Sequence, residues 1–558
     1  MKILIKFLSC FVLATITLMA TTATYNTNVY ASQTVTVKQG QSIQSAINSL
    51  NNGGTIIVES GTYNEFIKFN KSGTEQNPIV LKAQGEVIID GQNKNGHLFD
   101  LNGQSYITID GFILKNLKGN EVAGIYLGGG EQHIQILNNE MFNFNKSKSG
   151  SNGSCVNGII LFGESKTSIS NVLIQGNHLH DMDLNWSEAL SVTGNSEYVN
   201  VINNKVHDMT NIGIDFCGNF GYAPTTTLDQ PRHCVAKGNI IYNCNSPYAT
   251  SYGLYCDGAY DILFEDNVVY SCQGGIEVGA EEYVSSNYVG NITVHNNLIY
   301  DCKENGLHVG GYDSGNKAKV KDVKVYNNTL VNNGEELFLS KCDNVELYNN
   351  IFYNNKNNEI LYNEFSSSKT KNVSFHDNIY YTKSDAEFYL QSKSYSQSSW
   401  SKFIEPTALF QDPKLDSNYL PTSNTPSGKG CQTIKTDVTE PETPTVPEEP
   451  KEPEVIVPKP TEPTKPIVPE EQPKEEEKDD VEVEEPQITE SIIYNGAKYY
   501  LDNPTRKSAS YFSKYDVIVL NNKYNQPTNS NYKKTQLLIE EIQKQNPDII
   551  IVFANKLN

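Results

Sequence analysis

ILFEDNVVYSC, residues 262–272, returns at 292–302 as ITVHNNLIYDC. Each copy is an alternating apolar run, one Asn, then a second apolar run. The phrase occurs upstream as VLIQGNHLHDM (172–182), VNVINNKVHDM (199–209) and CVAKGNIIYNC (234–244). Downstream it reads VKVYNNTLVNN (323–333), VELYNNIFYNN (345–355) and VSFHDNIYYTK (373–383). The Asn falls at 177, 204, 239, 267, 297, 328, 350 and 378, and Asn139 extends the series upstream. A period of this size, built of short strands without helical patterning, reads as a solenoid of β-coils. The residues five and three before each Asn are mostly Val, Ile, Leu, Phe or Ala, and alternation points them inward. Asn at a corner suits a left-handed turn, and stacked coils would bring these amides into a ladder. Cys244, Cys272 and Cys302 sit at one equivalent position and read as a stack of small buried hydrophobes. The expected fold class is all-β: a right-handed parallel β-helix over residues 33–435.

Its ends agree. Ile43, Ala46, Ile47 and Leu50 share one helical face, and that helix would cap the open N-terminal end of the solenoid. Strand pairing weakens after about residue 385, where the exit should lie. Ahead of the solenoid, Lys2 and Lys6 precede FLSCFVLATITLMA, and Val29-Tyr30-Ala31 offers a cleavage site before Ser32. Residues 1–31 therefore read as a secretory signal peptide, with a secreted, soluble, monomeric mature protein. Residues 437–488 are a Pro, Glu and Lys-rich extended linker. Residues 489–558 contain DVIVL, then NYKKTQLLIEEIQKQN, then DIIIVF, a βαβ pattern too short to close a barrel.

Net charge is −21, which argues against nucleic acid or an anionic membrane as partner. Ten cysteines are present, one of them in the signal segment. No Cys-x-x-Cys pair occurs, so no zinc site is expected.

Each coil carries a further strand after the Asn: EALSVTG, GIDFCG, GLYCDG, GIEVGA, GLHVGG and ELFLSK. Aligned by their apolar positions, their outward residues are Ser191, Asp215, Tyr255, Glu277, His308 and Phe338. A second outward column holds Thr193, Cys217, Asp257, Gly279, Gly310 and Ser340. Adjacent strands lie ~4.8 Å apart, so ionisable groups line up across successive coils, with Trp186 and Glu188 just upstream. Stacked like charges are unfavourable, and a cation or shifted pKa values would relieve them. The loops after these strands are the longest in the repeat and carry Arg232, Glu281, Glu282, Tyr283, Tyr312 and Asp313. Long loops on one edge form the walls of a groove. His133, His178, His180, His207, His295 and His376 fall next to the Asn corners and read as surface positions.

SGTYNEFIKFNKSGTEQNPIVLKAQGEVIIDG resembles the first coils of secreted parallel β-helix polysaccharide lyases of the alginate lyase, chondroitinase B and pectate lyase type. WSEALSV, NIGIDF, DQPRHC, YGLYCDG, GIEVGAE and GLHVGGYD resemble a wider group of bacterial right-handed β-helix repeat proteins. The C-terminal piece resembles the start of a (β/α)8 glycoside hydrolase domain. The first resemblance implies β-elimination on an acidic, uronic-acid-containing polysaccharide, with Ca²⁺ as cofactor. It puts Arg232 forward as base, with Tyr255, His308 and Glu277 as further catalytic groups. Asp215, Asp257 and Glu281 would be Ca²⁺ ligands, and Trp186, Glu188, Lys237, Tyr283 and Tyr312 would bind substrate. Two alternatives stand beside it. One is glycoside hydrolysis by paired carboxylates among Asp215, Asp257, Glu188 and Glu277; the other is a non-catalytic carbohydrate-binding surface protein.

Overall fold

The computed structural model describes residues 33–432, apart from 148–154, 248, 282–287, 312–319, 355, 357 and 364, together with 517–521, 539, 544 and 550–554. The signal segment and the linker lie outside the described residues. Thirty-five strands are joined in one hydrogen-bonded array, a right-handed parallel β-helix. Through the central coils each strand pairs with the third before it and the third after it. Ile169–Gln175, for example, lies between Gln132–Leu137 and Ser196–Ile202, parallel to both. The coil thus has three sheets. The first holds the strands before each Asn, the second those after it, and the third the strands of the outward column.

The interior follows from alternation. Val172 and Ile174, Val199 and Val201, Ile262 and Phe264, Ile292 and Val294 all point inward and are buried. Parallel coils stack equivalent positions, so these form continuous apolar files, and Cys244, Cys272 and Cys302 form another. All nine cysteines of residues 155–431 are free thiols.

The Asn ladder is present and closed at both ends. Asn139 Nδ2 donates to Asn177 Oδ1, and the pattern repeats through Asn204, Asn239, Asn267, Asn297, Asn328, Asn350 and Asn378 at 2.9–3.0 Å. Each downstream Oδ1 also takes the backbone N–H of the Asn before it, as in Asn239 N to Asn267 Oδ1. At the last step Glu405 replaces the missing Asn, accepting from Asn378 Nδ2 at 3.0 Å. The left-handed residue is not the ladder Asn, as the corner reading expected. It is the residue before it: Asn138, Asn203, Asp266, Asn296, Asn327, Asn349 and Asp377 all have positive φ, with Gly176 and Gly238 in the same place. The turn is made one position early, which leaves the ladder Asn free to aim its amide along the helix axis.

The N-terminal cap is Ile43–Ser49, with Ser42 as N-cap. Glu65 accepts from the N–H groups of Ile43 and Gln44, each at about the usual length (2.9 and 3.1 Å). The far end is shut by a second helix, Gln397–Phe403. Its Trp400 is fully buried and stacks on Phe388 at 4.2 Å. The chain then returns along the second sheet, where Cys431, Tyr419 and Leu420 pack over Ile240, Val268 and Leu298.

The chain divides into Met1–Glu449 and Pro450–Asn558. In the latter, Val517–Asn521 and Ile550–Ala554 pair in parallel, and residues 539 and 544, the two described between them, are helical.

Candidate active site

The register of the third sheet puts Ser191 beside Asp215, Asp215 beside Tyr255, Tyr255 beside Glu277, Glu277 beside His308 and His308 beside Phe338. Six residues from six coils thus form one outward file, in the order that alternation and the repeat require. The glycines of GIEVG and GLHVG have a spatial reason. A Cβ at Gly279 would collide with the Glu277 carboxylate, and one at Gly310 would collide with the Ser340 hydroxyl.

The file differs from expectation in one respect. These outward residues are not solvated: Asp215 and Tyr255 are 2 % exposed, Glu277 is 1 % and His308 is 0 %. Every residue of Tyr252–Asp257, Gly274–Ala280 and Asn305–Gly311 is buried on both faces. Trp186, 48 % exposed, and Glu281 mark where the file meets solvent.

Burial decides the electrostatics. A carboxylate removed from water holds its proton more tightly, and neighbouring carboxylates add to the effect. Burial raises Asp215 well above the ordinary carboxyl range, and Glu188, Asp257 and Glu281 push it further. Burial and then Glu281 raise Asp257. Burial pushes Glu188, largely withdrawn from solvent, up to about 7, and Glu281 adds to the rise. Among the described residues Asp215 Oδ1, Ser191 Oγ and Glu277 Oε1 are buried oxygens without a hydrogen-bond partner, whereas Asp257 Oδ1 accepts the Glu281 backbone N–H at 2.9 Å.

At the other end of the file, His308 Nδ1 lies 3.0 Å from Glu277 Oε1 and His308 Nε2 lies 2.8 Å from Ser340 Oγ. Burial lowers the imidazole to about 3 and raises the Glu277 carboxyl well above its ordinary range, so it opposes charging either partner of this contact. Tyr255 donates to Glu281 at 2.9 Å; burial, then Glu277, keeps its phenol protonated. Tyr252 donates to Asn305 at 2.6 Å and packs beside Tyr255.

Of the expected site residues, Asp215, Tyr255, Asp257, Glu277, Glu281 and His308 come together, with Glu188 and Trp186 at their upstream end. Arg232 does not join them. It opens Arg232–Lys237 on the first sheet, where its guanidinium holds Glu197 at 2.8 Å and Asn195 at 3.1 Å. The long loop before it ends in Asp229, a buried carboxylate that binds the N–H groups of Gly221, Tyr222 and Ala223. That loop spends its length folding on itself and returns Arg232 to the wall of the coil. Lys237 lies on the same sheet, paired with Glu265 and Asp266. Tyr283, Tyr312, Glu282 and Asp313 lie outside the described residues. The sequence reading passed over Lys341, a buried cation next in the chain to Ser340; its ending ELFLSK diverges from the glycine pattern of its neighbours.

Residues 37–178 match the Chondroitinase B family, and residues 232–320 match the family described as right handed beta helix region. The chain is 26% identical over 387 residues to the uncharacterized protein YwoF of Bacillus subtilis (strain 168), covering 65% of this chain and 81% of YwoF. Among solved structures it resembles XylC in complex with xylose, with 12% identity, 69% and 87% of the two chains covered and a TM-score of 0.44. It also resembles the PL6 family polysaccharide lyase Pedsa3628 from Pseudopedobacter saltans, with 15% identity, 73% and 97% covered and a TM-score of 0.43. The chain is a right-handed parallel β-helix similar in part to polysaccharide lyases.

Proposed function

We propose that the protein is secreted and cleaves a uronic-acid-containing polysaccharide by β-elimination at the third sheet. The observation that carries this reading is the buried Glu277–His308 contact at 3.0 Å, set one coil from Tyr255 at the end of a buried file of carboxyls. β-Elimination needs a group that takes the C5 proton and one that protonates the departing glycosidic oxygen. Burial keeps His308 neutral, with its two ring nitrogens against Glu277 and Ser340, so its part would be to pass a proton between those two groups while Glu277, once ionised, would take the C5 proton. Tyr255 keeps its phenolic proton and is placed to give one up. Trp186 offers a sugar ring an aromatic face at the solvent-exposed end. The match of residues 37–178 to Chondroitinase B supports the class.

The acidic file would repel a polyuronate by itself. Asp215, Asp257 and Glu281, with Glu188 beside them, are hard oxygen donors suited to Ca²⁺, and Asp215 Oδ1, without a hydrogen-bond partner among the described residues, fits such a role. When bound, the ion would neutralise the uronate carboxylate and acidify the neighbouring C–H.

A second reading has its own observation. Burial raises the carboxyls of Asp215 and Asp257 and brings Glu188 to about 7, the direction that the general acid of a glycoside hydrolase needs. The test is incubation with a panel of polyuronates, with and without chelator. Ultraviolet absorbance of an unsaturated product, lost on chelation, is the expected result. New reducing ends without that absorbance would establish hydrolysis instead. Neither product, with retained polysaccharide binding, would mean a binding protein.

A further inference from the structure

A second cluster lies on another sheet and is untouched by the reading above. Glu140, His178, His180 and His207 project from the outer face of the second sheet on three successive coils, where His178 pairs with Glu140 and Lys205, and His180 with Phe142 and His207. His180 and His207 also belong to an aromatic stack with Phe142 and Tyr242. Stacking accounts for their rings being parallel. It does not account for where their nitrogens point.

The protons can be followed one at a time. Asp181 and Asp208 have φ of 51° and 57°, a left-handed step that turns each carboxylate back onto the preceding histidine. His180 Nδ1 lies 2.7 Å from Asp181 Oδ2, and His207 Nδ1 lies 2.6 Å from Asp208 Oδ2. Both carboxylates accept, so both Nδ1 atoms carry the proton and both Nε2 atoms present lone pairs. His207 Nε2 then accepts from His178 Nε2–H at 2.8 Å, which leaves the His178 Nδ1 lone pair free. His178 Nδ1 is 3.9 Å from Glu140 Oε1, and His180 Nε2 is 3.2 Å from the same oxygen. Two imidazole lone pairs and a carboxylate oxygen therefore converge on one point, with all three ligand atoms within 4.8 Å of one another. Bonds of about 2.0–2.1 Å to a tetrahedral ion place its donors roughly 3.4 Å apart, between the two contacts seen here.

We propose that Glu140 Oε1, His178 Nδ1 and His180 Nε2 form a binding site for a divalent transition-metal ion of the Zn²⁺ class. Two imidazoles and one carboxylate are a borderline donor set that suits zinc and its neighbours better than calcium or magnesium. Each ligating ring gives its other N–H to an acceptor, His178 to His207 and His180 to Asp181. That outer shell fixes tautomer and orientation in metal sites generally. Glu140 and His178 are accessible at 39% and 36% side-chain exposure, so an ion can enter, and three protein donors leave a position for water. The absence of a Cys-x-x-Cys pair carries no weight here, because the ligands come from two adjacent coils and a spacing of two within one strand.

The test is calorimetric titration of the chelator-treated full-length protein with ZnCl₂. One equivalent should bind, and excess Ca²⁺ should not displace it. The double variant His178→Ala/His180→Ala should lose binding at least 100-fold. His207→Ala should weaken it 10–100-fold, as outer-shell changes do. A measurement on the unmodified protein guards against a variant that fails to fold. Diethyl pyrocarbonate modification mapped by mass spectrometry should lose His178 and His180 when Zn²⁺ is added, while exposed His133 is unchanged. No stoichiometric binding, equal binding by a folded double variant, or unaltered modification of both histidines would overturn the proposal.

Discussion

The buried carboxyl file should make the protein less stable as pH rises through neutrality, and Glu188→Gln isolates one member of it. Glu188 is raised from 4.5 to about 7 in the folded chain. A folded-state pKa above the unfolded value means that the native state holds more protons between those two pH values. Stability is then full below about 4.5 and falls until the folded group has ionised. A shift of 2.5 units at 1.36 kcal/mol each gives roughly 3 kcal/mol. The described coil spans about 400 residues, for which the unfolding entropy near the midpoint is roughly 0.8 kcal/mol/K, so the loss corresponds to about 4 °C in Tm. The assay is thermal unfolding of parent and Glu188→Gln between pH 4.5 and 8, read as the Tm difference at each pH, which cancels titrations common to both. The variant should gain about 4 °C on the parent across that window. In saturating Ca²⁺ the gain should shrink, because an ion on the file favours the ionised carboxyl. A Tm difference that stays flat from pH 4.5 to 8 would refute the claim that this carboxyl is buried among like charges.

Asn267→Ala removes an amide that bonds Ala236 O, Asn297 Oδ1, and Asn239 through both its N–H and its side chain. At about 1–3 kcal/mol per buried group left without a partner, the loss should reach roughly 4 kcal/mol, seen as a lower Tm; a neutral change would contradict the ladder's role. Glu277→Gln should cut lyase turnover on the cleaved polyuronate by about 10²–10⁴-fold while leaving far-ultraviolet circular dichroism intact; activity within tenfold of the parent would remove the dyad from the chemistry. Arg232→Ala should retain turnover and cost about 1 kcal/mol for its ion pair with Glu197; a loss of activity with stability unchanged would return Arg232 to the site. Thiol labelling of the native protein should modify Cys155, the exposed cysteine among those of residues 155–431, and the others only after unfolding; any of those others reacting in the native state would contradict the buried file.

The coil was legible because a solenoid repeats its constraints. The recurring Asn, the apolar residues five and three before it and the alternation of the third strand fixed register from Ser191 to Phe338 without reference to any distant contact. The same local logic placed Glu277 next to His308. It failed for Arg232, because a loop of irregular length has no period. Where such a loop ends depends on internal bonds such as those of Asp229.

What the sequence alone determined is the β-helix, its caps, its ladder and which side chains share a file. These follow from alternation and from stacking at one coil per repeat. Only the tertiary structure decided that the outward file is closed to solvent, that burial consequently raises its carboxyls, and that His178 and His180 turn their lone pairs toward Glu140. Exposure and hydrogen direction depend on what packs over a position and on a single left-handed residue beside it, and neither is written in a repeat.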